Sequence, residues 1–204
     1  AGRLSTKLGE TKRGIAAWEA RLALVPTDAE AVDGLVAMFD ETQEWTKLAQ
    51  MLDKRAGFPR SDDEKRADLV RIAHLMAKEL GQSDEAILRW QIIEEQFGQG
   101  DEITEELERL LLASGDSRSL RDVYKSAAAR SEGIARSSYF QKLGSLEQDK
   151  LGEAKDALKS FEASLAADPG NEAARTGLER MLVDASLRRD ATFVLLDAYQ
   201  RKRE

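Results

Sequence analysis

The chain contains no cysteine, only one histidine and only three prolines among its 204 residues. The absence of cysteine excludes disulfide bonds and thiol chemistry, and it fits a reducing compartment, so the cytoplasm is our default expectation for its location. A single imidazole excludes a metal site built on several histidines, and we expect no metal. With few prolines and 34% charged residues, the composition favours a folded chain of amphipathic helices.

Long apolar runs and an excess of positive charge are also missing. No stretch approaches the roughly 20 apolar residues of a membrane span, and the first residues show no signal-peptide pattern, so we expect no membrane contact. Acidic residues outnumber basic ones, 38 to 31, which gives a net charge of -7. Binding to a phosphate backbone needs clustered Lys and Arg, so nucleic acid is not an expected partner. Because phosphate-binding and dinucleotide-binding glycine loops are absent as well, we expect no cofactor.

What the chain does contain is an internal repeat. Leu8-Gly9, Leu80-Gly81 and Leu151-Gly152 recur at a nearly constant interval, and each precedes a large aromatic residue, nine positions after the glycine. A unit that recurs at a fixed period buries its apolar face against its neighbours, which predicts a stacked solenoid. The repeat has already begun at Leu8, so we expect the chain to be a segment of a longer protein. The residues in common phase are Trp18, Trp90 and Phe161, then Leu35, Leu107 and Leu178, then Met38, Leu110 and Met181.

Apolar spacing divides each unit of 71 or 72 residues in two. One helix follows each Leu-Gly, and a helical hairpin follows in the second half of the unit. Pro26, Gly98 and Pro169 are placed to end the helix that carries the aromatic residue, and Ser61 with Glu64 has capping-box spacing. No alternating strand pattern is present, so we predict an all-α array of antiparallel hairpins with about eleven helices. The predicted single domain spans 1–204, with a partial repeat at 1–28 and hairpins at about 29–62, 66–100, 101–135, 137–171 and 172–204.

In this phase the residues resemble the tetratricopeptide-repeat (TPR) family, whose 34-residue hairpins place Leu, Gly, aromatic residues, Ala and Pro in a fixed order. The resemblance implies a right-handed α-solenoid, and the alternation of strong and weak hairpins resembles arrays in large bacterial members. Leu48 departs from the family's usual Ala, and the second and third units carry one extra residue before the turn. Half-a-tetratricopeptide repeats remain an alternative, whereas pentatricopeptide RNA readers fit an acidic chain less well. The matching residues are Val32, Leu35, Val36, Phe39, Trp45 and Leu52; Ile72, Ala73, Gly81, Ala86 and Trp90; and Leu143, Gly144, Gly152, Ala157, Phe161 and Pro169.

The repeated aromatic residues are interpreted as core, because their equivalent phase in three copies is what hairpin packing requires. Small residues at Gly34, Ala86, Ala157 and Gly177 then allow helices to approach closely, so a bulky substitution should overpack the junction. The cluster Asp62-Asp63-Glu64 lacks the alternation and glycine of a calcium loop and is interpreted as helix capping.

The resemblance implies that the first helix of each hairpin lines a concave groove. It assigns an acidic stretch on one helix to the N-terminal part of that groove and a mixed set of charges further along. In the family, acidic C-terminal chaperone peptides are held by a basic, Asn-rich clamp; Asn171 is the only asparagine here, so that activity is not carried over. The candidate peptide-binding residues are Glu30, Asp33, Asp40, Glu41, His74, Glu105 and Arg109.

The solenoid pattern and the missing catalytic groups favour a protein-interaction scaffold over an enzyme. We expect its groove to accept a peptide or helix, with Lys and Arg in the partner matching the acidic stretch. The alternative is a structural spacer or self-association segment of a longer array, whose ends expose apolar edges when neighbouring repeats are absent. An enzyme or an enzyme's regulatory arm is the third and least favoured class.

Overall fold

The structure is a computed structural model that describes the backbone of residues 2–202 and the side chains of residues 9–202. The Leu8 side chain of the first Leu-Gly copy and the terminal residues of the predicted range 1–204 lie outside the described residues. The described part contains eleven α-helices, one π-helical turn at Glu147–Leu151 and no strand, which confirms the predicted all-α class. The helices are α1 Gly2–Leu24, α2 Ala29–Glu41, α3 Trp45–Ala56, α4 Asp62–Lys78, α5 Ser83–Phe97, α6 Asp101–Ser114, α7 Ser117–Arg130, α8 Gly133–Leu146, α9 Ala154–Ala167, α10 Glu172–Met181 and α11 Arg188–Arg201.

The chain divides into two compact units, Ala1–Ile103 and Thr104–Glu204, which we call the N-terminal unit and the C-terminal unit. In the N-terminal unit, α1 to α5 pack in sequence, each helix against the next. In the C-terminal unit, α7 to α10 pack in the same manner, and α11 contacts both α9 and α10. Helices that are neighbours in sequence are therefore neighbours in space, as hairpins require. The single-domain assignment and the predicted hairpin limits stay predictions.

Hairpin lengths explain the long period of the sequence. The first helices of the hairpins, α2, α4, α6, α8 and α10, begin at positions 29, 62, 101, 133 and 172, so a short hairpin alternates with a longer one. One short and one long hairpin together make up the interval between Leu-Gly copies. The step from the start of α2 to that of α6 equals the step from Gly9 to Gly81, and the step from α6 to α10 equals that from Gly81 to Gly152. Each hairpin is thus close in length to the roughly 34-residue helix–turn–helix unit of tetratricopeptide repeats, and the helices form a TPR-like array.

The second and third Leu-Gly pairs end long first helices in the same way. Gly81 and Gly152 adopt left-handed φ values of 66° and 69°, which glycine reaches without steric cost. The amide after each glycine closes the helix end, from Gln82 to the Met76 carbonyl and from Glu153 to the Glu147 carbonyl, both at 2.8 Å. This six-residue closure is typical of a glycine-capped helix C-terminus. The predicted extra residue of the third unit falls in a π-helical turn, the usual way to absorb one inserted residue.

The first Leu-Gly pair behaves differently, and the prediction that a helix starts after it is wrong. Gly9 lies inside α1, which runs without a break from Gly2 to Leu24. Glycine permits helical and left-handed backbone almost equally, so the dipeptide alone does not specify a helix end. At Gly81 and Gly152 the end is fixed by the packing of the preceding helix and by the closing hydrogen bond.

The core interpretation of the repeated aromatic residues holds in both units. Trp90 and Phe161 are completely buried, whereas Trp18 is only partly buried. Each glycine beside these rings marks a close helix approach: a Cβ atom at Gly34 would lie 2.6 Å from the Trp18 ring. At Gly177 the corresponding distance to the Phe161 ring would be 2.4 Å. The predicted role of the small residues as close-approach points is therefore confirmed at both glycines.

Replacing Gly177 by alanine is expected to lower the free energy of unfolding by about 1–3 kcal/mol, because the rigid Phe161 ring blocks the new methyl group. Alanine would otherwise stabilise a helix by about 1 kcal/mol relative to glycine. The matched control is Gly9→Ala, since nothing lies within 4 Å of a Cβ at that helical position. Urea denaturation should show opposite signs for the two variants. Equal stabilisation by both would contradict the overpacking argument.

A buried polar cluster joins three helices of the C-terminal unit. Ser137 on α8 and Ser164 on α9 are both fully buried, and their hydroxyl oxygens lie 3.0 Å apart. The Asn171 side-chain amide donates to both, at 2.9 and 3.2 Å, while its oxygen accepts from the Ala174 amide at 3.0 Å and caps α10. The single asparagine of the chain therefore has a structural role, since it satisfies buried hydroxyls and a helix terminus at once.

The π-helical turn also contains a buried carboxyl group, that of Glu147. The Ser160 hydroxyl donates to it at 2.6 Å, but burial dominates and raises the pKa of Glu147. A carboxyl whose pKa is higher in the folded than in the unfolded chain destabilises the fold increasingly as the pH rises above the unfolded pKa, here about 4.5.

We therefore expect Glu147→Gln, which keeps an acceptor for Ser160, to become more stable relative to the wild type as the pH rises from 4 to 7. Thermal melts across this range test the trend. Asp156→Asn is the control with the opposite sign, because the Lys159 side chain lowers the pKa of Asp156 from its ordinary value of 3.8. Its loss of stability relative to the wild type develops as the pH rises through that value, so the melts of this variant extend down to a pH of about 2.5. Parallel pH profiles for the two variants would contradict the assignment.

Candidate interaction surface on the first helices

Helix α2 in the N-terminal unit has a buried face and an acidic face. Its N-terminus is fixed by Asp28, whose carboxylate accepts a hydrogen bond from the Ala31 amide at 3.0 Å. Apolar residues three and four apart then turn toward the neighbouring helices, which forces the polar positions between them outward. The buried residues are Ala31, Val32, Leu35, Val36 and Phe39, and the four candidate carboxylates on the other face are Glu30, Asp33, Asp40 and Glu41.

Three of these carboxylates are bound by arginines of the same unit. Glu30 lies 2.7 Å from a guanidinium nitrogen of Arg21 on α1. Asp33 accepts a hydrogen bond at 2.9 Å from Arg55 on α3, and Asp40 pairs with Arg71 on α4. The carboxylates remain 44% to 70% exposed. The acidic row on α2 is therefore accessible to solvent, but internal counter-charges already lie against it.

The Asp33 pair belongs to a larger, partly buried cluster. Arg55 binds Asp68 through two parallel hydrogen bonds, 2.9 Å from Nε and 2.5 Å from Nη2, and only 6% of the Asp68 side chain is exposed. This fork geometry is the strongest form of an arginine–carboxylate pair. The hydrogen bond to Asp68, with that to Asp33, raises the pKa of Arg55. Helices α2, α3 and α4 are thereby linked at one point, which fixes the position of Asp33.

His74 on α4 is half-buried and packs on an aromatic ring of the core. Its ring meets that of Trp90 edge to face, with centroids 5.3 Å apart and an angle of 78° between the planes. Among the described residues, neither His74 Nδ1 nor Trp90 Nε1 has a hydrogen-bond partner, although both atoms are buried. His74 thus lies on α4 one turn after Arg71, and aromatic packing determines its orientation.

The remaining two candidates, Glu105 and Arg109, belong to the C-terminal unit. Both are exposed on α6, and Arg109 binds Glu106, not Glu105, at 2.6 and 3.1 Å. The next turn carries Glu108, which accepts hydrogen bonds from Lys142 on α8 at 2.7 and 2.8 Å. The structure therefore does not pair the two predicted residues with each other.

Among the described side chains, no group of three or more His, Asp or Glu residues is arranged to hold a metal ion. None of the helices between residues 2 and 202 has both the length and the apolar character needed to cross a bilayer.

Sequence reasoning missed the arginines that cover the acidic row. A usable signal existed for Arg71: adding one 34-residue hairpin to Asp40 reaches His74, and Arg71 lies one turn earlier on the same helix. Arg21 and Arg55 lie on second helices, and their side chains reach α2 from neighbouring elements. No simple periodicity in the sequence predicts that reach.

Comparisons with known proteins found a likeness to solved structures only. The sequence matches no protein-family model and no curated protein sequence. It is similar in structure to YrrB, a TPR protein with an unusual peptide-binding site, with a TM-score of 0.45, 16% identity and coverage of 87% of this chain and 88% of that chain. It is also similar to the MamA protein, with a TM-score of 0.49, 15% identity and coverage of 86% of this chain and 92% of that chain. The likeness to BtubC (BKLC) from P. vanneervenii has a TM-score of 0.46, 15% identity and coverage of 97% of this chain and 90% of that chain.

Proposed function

We propose that the chain is a protein-interaction scaffold, not an enzyme, and that a peptide or helix rich in Lys and Arg binds along the exposed face of α2 and α4. The acidic row on α2 supports this proposal, because carboxylates at Glu30, Asp33 and Asp40 repeat along one exposed helix face while the opposite face is buried. Such a row offers complementary charge to an extended or helical basic segment.

The internal arginines define how a partner would bind. Glu30, Asp33 and Asp40 each already bind a guanidinium group of the chain, so the local geometry suits a basic side chain. A partner's Lys or Arg would exchange with Arg71 or Arg21, both of which are more than 40% exposed. Exchange of one exposed ion pair for another changes the free energy little, so we expect weak binding that falls as salt concentration rises.

Two substitutions at one ion pair should act in opposite directions. Asp40→Asn removes an acceptor and is expected to weaken binding of a basic peptide about two- to fivefold. Arg71→Ala releases Asp40 from its internal partner and is expected to strengthen binding by a similar factor. Fluorescence anisotropy with a labelled series of short peptides of increasing Lys and Arg content measures both effects.

The control is Asp53→Asn on α3, which removes an exposed carboxylate paired with Arg89 and lying outside the first helices. This variant has the same change in net charge as Asp40→Asn, so it separates a local contact from the overall charge of the chain. Equal weakening by both asparagine variants, or no effect of Arg71→Ala, would overturn the proposed position of the partner.

A structural spacer or self-association segment is the second candidate function. The exposed apolar residues of α11 favour it, since large apolar groups on a soluble surface mark interaction sites. This candidate does not depend on the acidic row and is developed below.

A further inference from the structure

Helix α11 in the C-terminal unit is apolar on two faces. One face packs into the core of that unit through Ala191, Val194, Leu195 and Ala198. The other carries three large apolar side chains, each three positions after the last, which we call the α11 stripe. Its members are Phe193, Leu196 and Tyr199, with 72%, 58% and 45% of their surfaces exposed.

The stripe is not required by the hairpin repeat. When the sequences of α7 and α11 are aligned so that Leu120 matches Leu187, their buried positions coincide. The same alignment gives each stripe residue an equivalent in α7 or directly after it. The equivalents are small or polar, so a second helix of this array folds without large apolar groups there. Large exposed apolar side chains lower the solubility of a protein, so a stripe that the fold does not require indicates a docking surface. The buried pairs are Leu120 and Leu187, Tyr124 and Ala191, Ala127 and Val194, and Ala128 and Leu195, and the stripe equivalents are Ser126, Ala129 and Glu132.

A concave apolar surface lies in the N-terminal unit, between α1 and α3. It encloses a cavity of about 380 Å³ and is open to solvent; we call it the α1–α3 groove. Its floor is formed by Phe39 of α2, and its walls include Leu22 and Ala23 of α1 and Met51 of α3. Its polar lining residues are Glu19, Lys47 and Gln50, and Lys47 lies over the Phe39 ring, 5.2 Å from its centroid. A cavity of this size and character suits an aromatic side chain with its apolar neighbours.

The segment that carries the stripe and the unit that contains the groove have net charges of opposite sign. Residues 188–202, which include α11, carry four basic and two acidic side chains, a net charge of +2. The N-terminal unit, residues 1–103, carries 20 acidic and 14 basic residues, a net charge of -6. A basic helix with an apolar stripe is thus attracted to the acidic unit as a whole, while the groove offers apolar surface together with one acidic and one basic side chain.

We propose that the α11 stripe of one copy of this chain docks in the α1–α3 groove of a second copy, with Phe193 as the anchor. The contact joins two different surfaces, so it is head-to-tail and leaves a free stripe and a free groove at the ends of every open assembly. Such contacts extend into open chains unless the rotation between copies closes a ring. Neither the stripe nor the groove contains a residue of the acidic row on α2, so the peptide-binding experiment and the one below test separate surfaces.

Sedimentation velocity over a concentration series tests this contact. The average mass of the wild type is expected to rise with concentration past that of a dimer. Phe193→Glu removes the anchor and Ala23→Arg fills the groove from an exposed position, so each variant is expected to weaken association about thirtyfold or more and to sediment as a monomer. Leu88→Glu on α5, at a 59% exposed apolar residue outside both surfaces, should associate as the wild type does.

Mixing the two interface variants makes the test specific. Phe193→Glu retains an intact groove and Ala23→Arg an intact stripe, so an equimolar mixture should form a one-to-one dimer and nothing larger. A wild type that stays monomeric at every concentration would overturn the proposal. Continued self-association of Ala23→Arg would overturn it as well, because the stripe would then bind a surface other than this groove, such as a second α11. Circular dichroism melts of each variant establish that the fold is retained.

Discussion

Replacing Phe161 by alanine is expected to lower the free energy of unfolding by about 3–5 kcal/mol. The ring is completely buried and lies between two glycines, where a Cβ atom would come within 2.8 Å of it at Gly144 on α8 and 2.4 Å at Gly177 on α10. Removing the ring leaves a cavity that two backbones without side chains are poorly placed to fill. Urea denaturation followed by circular dichroism measures the change.

A double-mutant cycle identifies the cause of this loss. Gly177→Ala destabilises the wild type because the Phe161 ring blocks its methyl group, and that obstacle is absent in Phe161→Ala. In the Phe161→Ala background, Gly177→Ala should therefore cost little stability, or even stabilise the helix. This gives a coupling energy of about 1–3 kcal/mol between the two substitutions. The control Phe193→Ala removes the same ring from a 72% exposed position and should change stability by less than about 0.5 kcal/mol. Additive effects at residues 161 and 177 would contradict the close-approach interpretation.

Removing the carboxylate of Asp68 is expected to cost about 3 kcal/mol, because Asp68→Ala leaves the Arg55 guanidinium partly buried without its two-bond partner. The cost falls at the lower end of the range for broken buried pairs, since Asp33 still accepts a hydrogen bond from Arg55 at 2.9 Å. Thermal or urea denaturation measures the loss. Asp53→Ala breaks the exposed pair with Arg89 and should cost less than about 1 kcal/mol.

Replacing both partners tests whether the charge itself stabilises the N-terminal unit. The double variant Arg55→Met, Asp68→Leu removes two charges and fills the site with apolar groups, so it should recover most of the stability lost in Asp68→Ala. It also frees Asp33 from Arg55, which would strengthen binding of a basic peptide if the acidic row on α2 is the binding surface. A double variant as unstable as Asp68→Ala would show that the hydrogen-bonded geometry, and not relief of a buried charge, is what the fold requires.

Much of the fold could be predicted from local sequence, because helix ends depend on residues close to them. Ser61 and Glu64 form the predicted capping box, and α9 ends at Ala167, just before Asp168 and Pro169. The buried phases at Leu35, Trp90 and Phe161 follow from the 3.6-residue period of a helix, since a helix hides one face wherever it packs. The internal repeat then extends each local assignment to its copies.

Of the candidate site, the acidic face of α2 could be predicted from the sequence, because helical periodicity separates it from the buried face. The sequence did not predict that Arg21, Arg55 and Arg71 bind three of its carboxylates, because long side chains reach across helices in directions that helical periodicity does not specify. The apolar character of residues 193, 196 and 199 is visible in the sequence and by itself predicts buried positions. The structure shows that the opposite face of α11 packs into the core and that these three residues are exposed.

The amino-acid sequence by itself thus determined the helical class, the hairpin period and the positions of most buried residues, all of which arise from backbone propensity and periodicity over one or two turns. Tertiary structure decided that Gly9 continues a helix while Gly81 and Gly152 end one, since neighbouring helices select among conformations that glycine allows equally. It also decided which charges are paired and which apolar face stays open. These properties depend on how side chains of separate helices meet, and only the packed chain fixes those contacts.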